Sequence, residues 1–226
     1  MAIRYNSQIV KDNLLFYLDA GNVKSYPGSG TTWYDLSSNG NNFTMQGTLS
    51  WDPITGFSGF DGNTSGNGNK FYKSSFPTGL KTSQGGAGLT IMIWTRSNVT
   101  GGWRKLIGNA DGENYIDLYQ GTSTYAWHQD GSGETLYYNG GINVSNDALL
   151  INDNVWRLLW ATNLNNGLTS NPTYGLTIGN EPNSSPQGTN AYPWIGNIAL
   201  VAMYSRILTT DEMIQNFNAT RRRFGV

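Results

Sequence analysis

The chain is predicted to be an all-β protein: two antiparallel sheets packed as a sandwich, with one α-helix at the C-terminal end. Three observations carry that expectation. Short apolar or alternating runs recur along the chain, parted by Gly, Asn, Asp and Ser clusters at spacings of about eight to twelve residues. The run Ile198-Ala-Leu-Val-Ala-Met-Tyr204 is apolar at both parities of a two-residue period, so it belongs inside a sheet covered on both faces. Shortly after it, Thr209-Thr-Asp-Glu212 has the form of a capping box, with Leu208 and Met213 placed as a hydrophobic staple.

That helix is expected to carry Asp211 and Glu212 at the positive end of its dipole and Arg221, Arg222 and Arg223 at the negative end. Met213, Ile214 and Phe217 give it one apolar stripe with which to plug the sandwich.

In chain order, residues 1–12 form a polar arm anchored by Ile3, Ile9 and Val10, and residues 13–226 form a single domain, with no internal repeat and no linker. Leu14–Leu18 is a strand closed by Asp19-Ala-Gly-Asn22. Ser25–Gly30 is a loop, Thr31–Leu36 returns aromatics to the body, and Ser37–Asn42 is a turn. Short strands follow at Phe43–Leu49 and Gly56–Phe60, then a Gly/Asn loop at Asp61–Asn69. Leu89–Arg96 alternates most clearly, Leu89, Ile91 and Ile93 on one face and Met92 and Trp94 on the other. Lys105–Gly108, Asn114–Gln120, Thr124–Gln129, Glu134–Asn139, Val155–Ala161 and Tyr174–Ile178 complete the strands, with Trp156, Leu158 and Trp160 sharing a face.

Two long motifs carry a resemblance. Leu14-Leu-Phe-Tyr-Leu-Asp-Ala-Gly-Asn-Val-Lys-Ser-Tyr-Pro-Gly-Ser-Gly-Thr-Thr-Trp-Tyr-Asp-Leu-Ser-Ser-Asn-Gly-Asn-Asn42 resembles the opening of concanavalin A-like, laminin-G-like jelly-roll domains. Ile195–Asn218 is similar to the closing strand and helix of the same family, and Phe60-Asp-Gly62 and Val155-Trp156 match weaker signatures between. The version most resembled occurs in virion proteins of tailed bacteriophages. The resemblance implies a jelly-roll sandwich in a superfamily that spans lectins, glycanases, adhesion modules and capsid decoration proteins.

Composition narrows the function. The formal net charge is -1 and charged residues are only 13 %, so no electrostatic footprint for nucleic acid or an anionic membrane is present. Gly, Asn, Ser and Thr supply a neutral, hydrogen-bonding surface suited to polyhydroxyl ligands and to subunit packing. There is no cysteine, hence no disulfide, thiolate metal site or cysteine nucleophile. The first residues hold no long apolar run, so no signal peptide is expected, and no stretch is long enough for a membrane span. The Asn-x-Ser/Thr triplets at Asn42, Asn63, Asn98, Asn143, Asn183 and Asn218 are then read as chance.

No catalytic residue is assigned. A retaining glycanase needs two carboxylates about 5 Å apart. Glu113 and Asp117 share a strand parity but lie roughly 13 Å apart, and Asp111 and Glu113 flank a turn glycine. His128, the lone histidine, has no GxSxG partner motif. No Gly-rich phosphate loop opens a helix. No metal or cofactor is assigned: calcium is weighed at Asp19, Asp61, Asp111, Asp130 and Asp153, but each reads first as turn chemistry. For sugar stacking the candidates are Trp103, Tyr125, Trp127 and Tyr192, with Tyr137, Tyr138 and Trp194 behind them.

The expected function is a non-enzymatic phage virion structural protein, a capsid decoration or cement module made in the host cytoplasm and displayed on the virion surface. Its loops and N-terminal arm are expected to bury area on major capsid or fibre subunits, or on further copies of itself. The alternative is a carbohydrate-binding adhesin on a head or tail fibre that holds the virion to a host cell-surface glycan.

Overall fold

The computed structural model describes residues 8–60, 68–77, 88–99, 104–108, 117–120, 125–128, 134–139, 142–144, 153–163, 175–180 and 192–226. Through them run β1 Leu14–Asp19, β2 Thr32–Trp33, β3 Phe43–Gln46, β4 Ser50–Asp52, β5 Gly56–Ser58, β6 Lys70–Lys73, β7 Leu89–Arg96 and β8 Arg104–Gly108. There follow β9 Asp117–Gln120, β10 Tyr125–His128, β11 Glu134–Tyr138, β12 Ile142–Val144, β13 Arg157–Asn163, β14 Leu176–Ile178 and β15 Asn197–Tyr204. The chain closes with α1, Thr210–Thr220, and a 3-10 turn, Arg221–Phe224. No sequence signal marked β4, β6 or β12, which span only three or four residues each. The strand expected at Val155–Ala161 forms two residues later, as β13.

Two antiparallel sheets result. The helix-side sheet runs β12-β11-β13-β7-β15-β5-β4, with β1 also on β15; the far sheet runs β10-β9-β8-β14-β6-β3-β2. β15 is the hub. It pairs with β7 from Asn197↔Arg96 to Tyr204↔Thr90, and its other edge is shared end to end by β1 and β5. At that junction Gly56 adopts φ +71, and a Cβ there would sit 2.3 Å from the Ile198 carbonyl oxygen, so no other residue fits.

The double-sided apolar pattern of β7 and β15 is explained by three layers. Ile91, Ile93, Leu159, Val201 and Met203 face Phe43, Phe71, Leu106, Ile107 and Ile178 of the far sheet. The opposite parity, Met92, Trp94, Leu158, Trp160, Leu200 and Tyr204, packs beneath Val10, Leu208, Met213 and Phe224. Each such buried side chain stabilises the fold by about 1.5–3 kcal/mol. Edge-to-face contacts of Phe57 with Tyr26, Trp33 and Phe71, at 4.8, 4.8 and 4.6 Å, fill one end of the inner core.

Among the described residues the outer edge of β1 has no strand partner, and the segment expected to be a simple turn closes it. Asp35 accepts from the Tyr17 amide at 2.9 Å, and the Leu36 amide donates to the Tyr17 carbonyl at 2.8 Å. Ser37, Asn39 and Asn41 all donate to the Leu15 carbonyl, and Ser25 Oγ accepts from the Asp19 amide. An edge that would otherwise template another strand is therefore sealed by side chains.

The helix forms with its capping box: Thr209 Oγ1 accepts from the Glu212 amide while Glu212 accepts from the Thr209 amide. Its buried stripe differs from the expected one. Ile214 is 39 % exposed, and Asn216 is fully buried in its place. Phe217 is only half-buried; the deep plug is Phe224, stacked on Trp94 at 4.2 Å and tilted against Trp156 at 4.8 Å. The three arginines lie beyond the α-helix, whose last turn holds no basic residue. Tightening into a 3-10 turn swings Phe224 under the sheet and sends Arg223 back to Asp19 and to the Ala199 carbonyl. Among the described residues no helix is long and apolar enough to cross a membrane.

Candidate ligand-binding face

The two outward faces of the sandwich are unlike. Over β1, β15, β7 and β13, that of the helix-side sheet is covered by α1, the 3-10 turn and the segment Gln8–Asn13. On the far sheet, pairing register builds two alternate transverse rows. Met45, Phe71, Ile178, Ile107, Leu118 and Trp127 are successive register partners, and Phe71, Ile178 and Ile107 are fully buried between the sheets. The next row is Thr32, Thr44, Tyr72, Thr177, Gly108, Asp117 and His128, crossing all seven strands.

With Phe71 and Ile178 inward, strand alternation turns Tyr72 and Thr177 outward. Thr44 is exposed, Thr32 and Tyr72 are half-buried, and Thr177 is covered. Thr177 Oγ1 donates within reach of the Asn180 and Gly108 carbonyls, at 2.7 and 3.1 Å. The open end of the row is thus an aromatic ring beside hydroxyls, with Gln46 exposed two residues along β3. Thr32, Thr44 and Gln46 carry hydroxyl and amide groups, and Lys70, two residues before Tyr72 and paired with Gln46, is buried. Such a surface hydrogen-bonds and stacks.

The sequence-predicted platforms are distributed otherwise. Tyr125 and Trp127 lie on β10, the edge strand, where they pair with Gln120 and Leu118; their side chains fall outside the described set. Trp103 lies outside the described residues. Tyr192 is half-buried, and its carbonyl accepts from the Lys105 amide at 2.8 Å, tying it to β8, two strands from β10. Tyr137 and Tyr138 pair with Trp160 and Leu159 in the other sheet. Trp194 is fully buried in the inter-sheet core, so it offers no platform. Tyr72 escaped the sequence reading because Lys-Phe-Tyr-Lys is too short to show a period; its one signal is a single apolar residue between polar ones.

The described carboxylates have structural work. Asp19 pairs with Arg223 and also accepts from the Gly21 amide at 3.0 Å. Asp153 takes a two-pronged contact from Arg157 at 2.6 and 2.5 Å, which holds its carboxyl well below the ordinary range. Asp35 accepts four hydrogen bonds, from Tyr17, Asn41 and both donors of Ser37. Asp61, Asp111, Glu113 and Asp130 lie outside the described residues, as does the side chain of Asp117 on β9. Among the described residues no group of three or more His, Cys, Asp or Glu is placed to hold a metal ion.

This architecture is shared with solved structures. The binding domain of Paraclostridial mosquitocidal protein 1 matches with a TM-score of 0.54 at 15 % identity, over 92 % of this chain and 52 % of that one. A botulinum neurotoxin type C structure, whose description ties cell entry to two ganglioside molecules, matches at 0.59 and 16 %, over 93 % and 52 %. A Trypanosoma rangeli sialidase mutant displaying trans-sialidase activity matches at 0.51 and 11 %, over 95 % and 34 %. The likeness is one of fold. The chain spans about half the length of the toxin-domain chains and about a third of the sialidase chain. No family model matches the chain, and no curated protein matches it.

Proposed function

We propose that the chain is a non-catalytic recognition module that binds a neutral glycan through the open end of the far-sheet row. The observation that carries this reading is the asymmetry of the faces: the central strands of one are covered by α1, the 3-10 turn and Gln8–Asn13, while the other presents Tyr72 beside Thr44 on the adjacent strand. A ring with an exposed hydroxyl at one side suits sugar CH groups above it and a sugar hydroxyl beside it. Support also comes from the fold's occurrence in toxin binding domains. The test is a glycan array probed with wild type and the Tyr72→Ala variant. Binding to an uncharged polysaccharide that weakens about tenfold in the variant, roughly 1.4 kcal/mol, supports the reading. Silence of the folded wild-type protein across bacterial and animal glycans removes it.

A second reading concerns where the module works. The motifs Leu14–Asn42 and Ile195–Asn218 resemble those of tailed-phage virion proteins, and they build the β1–β15 hub and the helix. They favour a module on a virion surface, decorating the capsid or a fibre and contacting major capsid or fibre subunits. Co-sedimentation of the purified protein with virions or capsid lattice tests this; no binding to either counts against it.

A further inference from the structure

The segment Gln8–Val10 is held by a clamp that reads main chain rather than side chain. Asn216 Oδ1 accepts from the Val10 amide at 2.7 Å, Tyr204 OH donates to the Val10 carbonyl at 3.1 Å, and Asn216 Nδ2 donates to Tyr204 OH at 2.9 Å. Gln215 Nε2 donates to the Gln8 carbonyl at 2.8 Å. The Val10 side chain lies in the cluster formed by Leu14, Tyr204, Leu208 and Met213, with Ile9 packed beside it. Both polar groups of one peptide residue and its aliphatic side chain are thus satisfied at a single site, the way a sheet edge or a peptide-binding groove takes an extended ligand.

This occupant is joined to β1 by a tight turn, Lys11–Asn13, which the Ser205 amide holds at the Asn13 carbonyl, at 2.9 Å, and Arg206 holds at Asp12, at 3.0 Å. The Leu14 amide donates to the Lys11 carbonyl at 3.2 Å, and Asn13 sits at φ +55, a left-handed conformation that only a few side chains tolerate. A short, constrained hinge between an extended segment and its docking site favours exchange of that segment between copies. Straightening the turn gives up the exposed Asp12–Arg206 contact, which water replaces at small cost, and carries Gln8–Val10 away from its own helix, past the end of β1. With a net charge of -1, two copies do not repel strongly.

We propose that the Tyr204–Asn216 clamp is an intersubunit site, whose occupant in dense assemblies is the Gln8–Val10 segment of a second copy of this chain. In dilute solution the chain's own segment wins, because a short tether holds it at an effective concentration of order millimolar. Where copies are crowded to that same concentration, the neighbour's segment competes on equal terms, and no new contact is needed.

The full chain holds no cysteine, which allows a direct test. Gln8→Cys and Gln215→Cys variants, both at exposed positions, carry different tags and are mixed before mild oxidation. Random collision gives mixed dimers at about twice the yield of either homodimer. Exchange is expected to raise the mixed dimer several-fold above that ratio at millimolar protein, to leave it unraised at micromolar protein, and to lose the excess when Val10→Pro removes the donated amide. The double variant, oxidised at micromolar concentration, should close within one chain and so confirm the clamp independently. A collisional ratio at millimolar protein, or an excess untouched by Val10→Pro, overturns the proposal.

Discussion

The side-chain amide of Asn41 donates to the main-chain carbonyl of Leu15 at 2.7 Å, and both groups are buried. With the Asp35 contact to Tyr17, it makes a polar loop serve as the missing neighbour of β1. Asp35→Ala removes the acceptor of four hydrogen bonds and bares a strand edge. A loss of about 2–4 kcal/mol is expected. Urea unfolding should show the loss, and size-exclusion chromatography should show association that wild type lacks.

Asn216 joins three elements through Val10 and Tyr204. Asn216→Leu keeps the volume but leaves the Val10 amide unpaired in the core, which costs about 2 kcal/mol. For a domain of this size the melting temperature should fall by about 4–8 °C. Calorimetry checks this, and an unchanged melting temperature would mean that Gln8–Val10 is not docked.

Truncations along the C-terminal segment should rank by burial. Phe224→Ala, at 6 % exposure against two tryptophans, is expected to cost about 3–5 kcal/mol. Phe217→Ala, half-buried over Trp94, should cost about 1–2 kcal/mol, and Ile214→Ala about 0.5 or less. Equal effects of the Phe217 and Phe224 changes in denaturant titrations would contradict the 3-10 turn.

Acid and alkali should each weaken the fold. The hydrogen bonds from Arg206 pull the Glu212 carboxyl down to about 2 from 4.5. A depressed folded-state value contributes stability that is present above pH 4.5 and lost as the pH falls toward 2. Burial pushes the Tyr204 and Tyr17 hydroxyls above their ordinary 10.0, so their contribution is full below pH 10 and declines above it. Melting temperatures measured from pH 2 to 11 should fall at both ends, and Glu212→Gln should shrink the acid limb, part of which Asp153 retains, while leaving the alkaline limb unchanged.

Local pattern was enough where a signal repeats or is punctuated. β7 was read to the residue from Leu89–Arg96, because eight alternating positions leave no other period. The capping box at Thr209 and Glu212 was legible because both partners lie three residues apart. The strands of three or four residues were not, since β4, β6 and β12 are too short to show a period and exist because a neighbour pairs with them. Tyr72 went unnoticed for the same reason: it faces outward only because Phe71 beside it is claimed by the core.

What the amino-acid order made legible by itself is the sandwich of short strands, the twice-covered strand β15 and the start of the helix, each announced by a pattern within a few residues. Which helix face turns inward was decided by tertiary structure. Hydrophobicity alone favours Ile214, yet Asn216 is buried because Tyr204, twelve residues away, and Val10, 206 residues away, together satisfy its amide. A polar group enters a core when its partners arrive from elsewhere in the chain, and no local window contains them.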